Sequence, residues 1–232
     1  VTITPGANEV SVAEQTLALL LGVMRGFPER DREVRRGVWK REKLPRLGGK
    51  TLGLVGMGRI GKAVVPRAQG LGLKVIAYDP YPDQAFAAAM NVRLVDLDEL
   101  YATADVVSLH LPCMAETQNM INARTLSQMK RGAVLVNTAR GGLVDEDALY
   151  AALRERHLLG AGLDVFKIEP LPLDSPLLQL DNALLCCHMG GLDEESEVAM
   201  SRMAAECIAR LYRGDWPEGC VVNAEIRDGW TW

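Results

Sequence analysis

Thr51-Leu-Gly-Leu-Val-Gly-Met-Gly-Arg-Ile-Gly61 decides the fold. Its first half is a short apolar run suited to a buried strand, and residues 59–71 read as a helix. Between them stands Gly56-Met-Gly58-Arg-Ile-Gly61. The spacing Gly-x-Gly-x-x-Gly is weak alone, but between strand and helix it has a mechanism. The first glycine makes the tight turn, the second lets backbone approach a pyrophosphate, and the third allows helix and strand to touch. The helix N-terminus adds free N–H groups and partial positive charge. A second run, Lys74–Tyr78, ends in Asp79, 18 residues beyond Gly61. A carboxylate there accepts from the ribose hydroxyls of a dinucleotide. It would repel a 2′-phosphate, and no arginine follows in Tyr78-Asp-Pro-Tyr-Pro82, so NAD is favoured over NADP. Two other readings compete: a structural turn beside a surface aspartate, and the similar turn of a methyltransferase, which would leave the later motifs unexplained.

Working outward, strand and helix alternate. Short runs rich in branched residues lie at 92–95, 105–111, 133–137, 160–166 and 183–186, and helical stretches at 83–90, 97–103, 124–129 and 145–156. Apolar strands separated by helices imply an α/β fold, a doubly wound parallel sheet with helices on both faces. Asp145-Glu-Asp147 sets acids at the positive end of one helix. Ahead of the sheet, Ser11-Val-Ala-Glu14 reads as a capping box, and Leu17, Leu20, Leu21 and Met24 follow at helical spacing. A charged helix runs from Pro28 toward Gly37, and Leu47-Gly-Gly-Lys50 is a loop. A last helix spans about 194–213, broken by Trp216-Pro-Glu-Gly219 before a tail containing Trp230 and Trp232.

Composition narrows the function. The 232 residues are 48% hydrophobic and 24% charged, ordinary globular values that exclude wholesale disorder. A net charge of −4 makes a poor general binder of nucleic acid. The basic cluster at 32–43 is interleaved with acids and reads as a solvated helix face rather than an anion site. Five cysteines with no Cys-x-x-Cys pair fit a reducing compartment, hence a cytoplasmic location, and no metal-ligand spacing occurs. Cys207 and Cys220 read as small apolar fillers. The longest apolar run, 17–24, falls short of the ~20 residues of a membrane span, and no basic segment makes it a signal peptide.

The later strands also end in chemistry-bearing residues: His110-Leu-Pro112, Thr138-Ala-Arg140-Gly-Gly142, Asp164 with Glu169-Pro170, and Cys186-Cys-His188-Met-Gly-Gly191. Ligands of an open parallel sheet bind beyond the carboxyl ends of its strands. A cation, a carboxylate and an imidazole beside a dinucleotide suggest hydride transfer coupled to proton transfer. Each has a plainer reading as a surface arginine, a loop acid or a satisfied loop histidine. His110 reads as structural or cofactor-adjacent rather than catalytic, and His157 as without function.

The ordered set resembles the D-isomer-specific 2-hydroxyacid dehydrogenases, in particular their short phosphoglycerate dehydrogenase-like members. The resemblance runs from Pro5-Gly-Ala-Asn8 through the glycine turn, Tyr78-Asp-Pro80 and His110-Leu-Pro112. It continues through Asn137-Thr-Ala-Arg-Gly-Gly-Leu-Val-Asp-Glu146, Gly162-Leu-Asp-Val-Phe-Lys-Ile-Glu-Pro170 and His188-Met-Gly-Gly191. It implies a Rossmann-type coenzyme domain, the cofactor NAD, a 2-hydroxy or 2-oxo acid substrate and a homodimer. It implies that Arg140 binds the substrate carboxylate, that His188 exchanges the proton, and that Glu169 accepts from His188 and favours the imidazolium. Asp164 would orient the nicotinamide end. Gly56, Gly58, Arg59, Ile60, Gly61, Asp79, Leu111, Pro112, Thr117, Thr138, Ala139, Arg140, Asp164, His188, Gly190 and Gly191 would form the cofactor site. Residues 1–192 would be the NAD-binding domain, including a linker and dimerisation helix at 11–26. Residues 193–232 would be a helix and tail that pack on a substrate domain mostly absent here.

The chain departs from the family in three places. Cys187 stands where the family often has proline, which removes a fixed φ beside His188. Leu192-Asp193 replaces the commoner Ala-Thr. Most of a substrate domain precedes Pro5 in the family, and with it a loop that holds the substrate carboxylate. Two further readings therefore stand beside the dehydrogenase: an isolated NAD-binding and dimerisation domain with little turnover, and an NAD-sensing regulator.

Overall fold

The run Thr51–Val55 forms β1, buried from Leu52 onward, in a computed structural model that describes residues 1–231. Trp232 lies outside the described residues. Two strands, β2 (Lys74–Tyr78) and β4 (Val106–Leu109), flank β1, both parallel to it. Beyond β2 lies β3 (Arg93–Leu94); beyond β4 lie β5 (Val134–Asn137), β6 (Gly160–Leu163) and β7 (Ala183–Leu185). The seven-stranded sheet has the order β3-β2-β1-β4-β5-β6-β7, with every pair parallel. The strand order therefore reverses between β1 and β4, which opens a crevice at their carboxyl ends.

The connecting helices divide between the faces. On one face α1 (Glu9–Arg25) and α3 (Arg59–Gly70), with α4 (Gln84–Ala89), bury Leu17, Leu20, Val64, Val65 and Ala87 against Leu52, Leu54 and Val136. On the other α5 (Leu97–Thr103), α6 (Ala123–Gln128) and α7 (Glu146–Arg154) bury Leu100, Leu126 and Leu149 against Val107 and Leu135. Strands buried on both faces explain why they read as continuous apolar runs. Helix starts are capped locally: Asp83, Asp96 and Asp145 accept from Phe86, Glu99 and Ala148 N–H, and Asn122 closes a capping box with Thr125.

The expected capping box at Ser11 does not form. The helix starts three residues earlier, with Asn8 at its N-cap, and Ser11 lies buried in its first turn. The Ser11 side chain instead helps hold the Asp193 carboxyl below its usual range, after the Ser196 contacts at the start of α8. The apolar stripe of α1 is core: a Cβ at Gly162 would lie 2.8 Å from Leu19 Cβ, so this strand takes the helix at close range. Among the described residues no single helix is long and apolar enough to cross a membrane.

Short helix α2 (Phe27–Arg35) follows α1 and buries none of its residues. The 19-residue α8 (Glu194–Tyr212), capped by Asp193, buries Ser196 and Cys207 and leaves Val198, Ile208 and Tyr212 exposed. The tail returns to the start of the chain: Ile3 N–H donates to Cys220 O (2.7 Å) and Val222 N–H to Val1 O (3.0 Å).

Candidate active site

All seven strands end on one side, and the crevice is built there. Gly56 has φ +102°, and a Cβ on it would stand 2.8 Å from the carbonyl carbon and oxygen of His110. Glycine is required on both counts. A Cβ at Gly61 would lie 2.5 Å from Gly56 O, whereas one at Gly58 would meet nothing within 4 Å. The space before α3 is therefore open. Lys62 N–H makes the helix bond to Gly58 O (2.9 Å), and the amides before it have no acceptor within the helix. This cradle fits a pyrophosphate.

Asp79 ties the turn to the end of β2. Its Oδ2 accepts from Met57 N–H (2.7 Å) and its Oδ1 from Tyr81 N–H (2.8 Å). A carboxylate has about four acceptor sites, so it is anchored and can still accept from a ribose.

His110 hydrogen-bonds through Nε2 to Ser108 Oγ (2.9 Å), and its Nδ1 is buried with no partner among the described residues. Burial pushes its pKa down to about 4. It is neutral near pH 7 and unsuited to proton donation, in keeping with a structural or cofactor-adjacent role.

Arg140 is exposed after β5. Buried Asn137 shapes its loop, donating to Arg140 O (2.9 Å) and accepting from Ala139 N–H (3.0 Å). The hydroxyl of Thr138 pairs with that of Thr16 on α1 (2.8 Å). Gly141 packs so tightly that a Cβ would fall 1.9 Å from the carbonyl carbon of Phe166. The Arg140 loop is thereby seated on the loop that carries Glu169.

Glu169 accepts from Phe166 N–H through Oε1 (2.9 Å) and meets His188 Nδ1 through Oε2 (2.7 Å). Burial raises its pKa, but the bonds from His188 and Phe166 and the charges of His188 and Arg140 outweigh that, and the carboxyl sits below its usual range. With Nδ1 held by the carboxylate, His188 leaves Nε2 for a substrate.

His188 has φ +54°, unusual for a residue with a side chain. Asp164 enforces it. Its carbonyl accepts from His188 N–H (2.7 Å), and its buried carboxylate accepts from Met189 (3.0 Å) and Gly190 (2.8 Å) N–H. Asp164 lines the cavity as expected, and its carboxylate also clamps the His188 loop.

A cavity of about 480 Å³ joins these parts. Of the expected residues, Ile60, Leu111, Pro112, Thr138, Ala139, Arg140, Asp164, His188, Gly190 and Gly191 line it. Gly56, Gly58, Arg59, Gly61 and Asp79 are not on its wall; they form the turn, the start of α3 and the end of β2 next to it. Thr117 is not on the cavity wall; its hydroxyl donates to Pro112 O (2.7 Å) and braces that loop. Glu169 lies behind His188, beside a second cavity of about 690 Å³ lined mainly by apolar side chains. His110 and four residues given no cofactor role above, Asn8, Val12, Leu192 and Met200, complete the first cavity. For Asn8 the signal was present in Pro5-Gly-Ala-Asn8.

Comparison with known families gives a match over residues 17–190 to the D-isomer specific 2-hydroxyacid dehydrogenase, NAD binding domain. The chain belongs to this family. Its NAD-binding domain is what the sheet, turn and cavity build. Over 222 residues the chain is 44% identical to the D-3-phosphoglycerate dehydrogenase of Methanocaldococcus jannaschii, covering 94% of this chain and 42% of that protein. It is also 44% identical over 232 residues to the glyoxylate reductase of Korarchaeum cryptofilum, covering 97% of this chain and 70% of that protein. The chain thus spans less than half of the first relative and about two thirds of the second. Among solved structures, the D-lactate dehydrogenase of Aquifex aeolicus complexed with NAD and lactic acid superposes with a TM-score of 0.86 at 32% identity, covering 93% of this chain and 70% of that one.

Proposed function

We propose that this chain is the coenzyme and proton-transfer half of an NAD-dependent oxidoreductase that interconverts 2-oxo acids and D-2-hydroxy acids, with a substrate of the phosphoglycerate or hydroxypyruvate type. The observation that carries the reading is the Glu169–His188 contact of 2.7 Å, held on the wall of a cavity that also presents Arg140. NAD, when bound, supplies the hydride chemistry. The chain's own groups do the rest. Arg140 pairs its guanidinium with the substrate carboxylate. His188 gives a proton from Nε2 to the carbonyl oxygen in reduction and takes it back in oxidation. Glu169 supports the charged ring meanwhile. The relatives named phosphoglycerate dehydrogenase and glyoxylate reductase favour this substrate class.

The test is a calorimetric titration with NADH and with NADPH, followed by turnover of glyoxylate, hydroxypyruvate and phosphohydroxypyruvate. NADH binds and NADPH does not, because of Asp79. His188→Gln keeps NADH binding and lowers turnover by about 10²–10⁴-fold. Equal NADH and NADPH affinities, or turnover untouched in His188→Gln, would refute the reading. Binding without turnover in the unaltered chain would favour a second one, an NAD-binding domain with little activity. The exposed apolar side chains of α8 support that alternative, since they are a face prepared for further protein.

We further propose a cytoplasmic homodimer. The stripe of α1 is buried in the domain, so the surface that fits a second copy is Phe27, Val34, Val38 and Trp39, the last 80% exposed. Trp39→Asp is expected to turn a dimer into a monomer in sedimentation velocity. A dimer that persists in the variant would place the interface elsewhere.

A further inference from the structure

No arginine follows Asp79 in the loop 80–82, but the fold brings a cation to that loop from another element. Lys62 stands on α3 directly after Gly61, at the end of the helix's first turn. Its side chain crosses to the loop after β2, where Nζ meets Asp83 Oδ2 at 2.5 Å. The same ammonium lies 5.4 Å from the centre of the Phe86 ring, within reach of a cation–π attraction. Asp83 is itself fixed, because its Oδ1 accepts from Phe86 N–H (3.0 Å) at the start of α4. Lys62 is therefore docked between a carboxylate and a ring. Asp79 closes the other end of the same loop: its two oxygens hold Met57 N–H in the glycine turn and Tyr81 N–H. The glycine turn with its helix is thus joined to the loop twice, through Asp79 at one end and through Lys62–Asp83 at the other.

We infer that Asp83 is a second determinant of cofactor choice, which pairs with Lys62 and so withholds that ammonium from a 2′-phosphate. The inference rests on the reading of Asp79 as the acid that meets the adenosine ribose. Asp79 acts by repulsion, Asp83 by occupation. A phosphate monoester carries about two negative charges near pH 7, and charge-assisted bonds are what hold it once its water is removed. To supply one, Lys62 must first leave Asp83 and the Phe86 ring. Replacing Asp83 by asparagine separates its two duties. The amide oxygen can still accept from Phe86 N–H, so α4 keeps its cap, while the charge that holds Lys62 is gone.

The test is calorimetric titration of the chain with NADPH and with NADH, in the parent, Asp83→Asn, Lys62→Gln and the double variant. The same series is repeated with Asp79→Asn added, to lower the repulsion of a 2′-phosphate. Asp83→Asn is expected to tighten NADPH binding about tenfold. NADH affinity should change by less than about twofold, which also reports an intact fold. In the double variant, without Lys62, the gain for NADPH should vanish. An NADPH affinity unmoved by Asp83→Asn, or a gain that survives Lys62→Gln and so reflects only the lost negative charge, would overturn the inference. The Asp79 reading is scored separately: it fails if Asp79→Asn leaves NADPH affinity unchanged, whatever Asp83→Asn does.

Discussion

A Gly141→Ala variant is expected to lose about 3 kcal/mol of stability and about 10²-fold in turnover, while NADH affinity changes little. The added Cβ would stand 1.9 Å from the carbonyl carbon of Phe166, 2.0 Å from its oxygen and 2.4 Å from Lys167 N. These are backbone atoms, so relief requires one loop to move off the other. Arg140 precedes the clash on one loop. Glu169 follows it on the other, held by the N–H of the same Phe166 (2.9 Å). Separation therefore displaces the group that would hold the substrate from the groups that would move its proton. Gly142→Ala is the control. There a Cβ meets Cys113 Sγ at 2.7 Å, the free end of a small exposed side chain that can turn away, and the cost should stay below about 1 kcal/mol. Urea unfolding and turnover of both variants check this. A Gly141→Ala protein as stable and active as the parent would show that the two loops are not coupled.

The same contact illustrates what sequence reasoning could and could not reach. The glycine turn, Asp79 and the alternation of strands and helices were legible because each depends on neighbours within a few residues. The parallel order of the sheet followed from them. Strand ends were read too long: β4 stops at Leu109 and β6 at Leu163. Leu111, Val165 and Phe166 share the apolar character of the ladder but lie past its last strand residues, in the loops that build the crevice. The misplaced start of α1 has a related cause. Ser11 carries a local capping pattern, yet it is buried inside the first turn and Asn8 takes the N-cap position. Arg140, Glu169 and His188 were legible as residue types at strand ends. The pairing of Glu169 with His188 was implied by the resemblance; what holds it in place was not, because that depends on Gly141 against Phe166 and on Asp164 beneath His188.

Between about pH 6.5 and pH 4.5 the domain is expected to lose stability at up to about 1.4 kcal/mol per pH unit through His110. The ring has its pKa pushed down to about 4 by burial, against ~6.5 in an unfolded chain. Over that interval the unfolded state binds a proton at this position and the folded state does not. Stability therefore rises with pH through the window: it is full above the unfolded pKa and lost as pH falls toward the folded one. The total approaches about 3 kcal/mol by pH 4. The carboxyl of Glu169, held below its usual range, adds a loss of the same sign, but at lower pH, as its own range is reached. Urea midpoints at half-unit steps from pH 7 to pH 4.5 isolate the histidine. In His110→Gln, which keeps an amide able to meet Ser108, the slope over this window should largely vanish. A slope unchanged in the variant would mean that the proton enters elsewhere, and that the buried Nδ1 of His110 is not what limits the domain in acid.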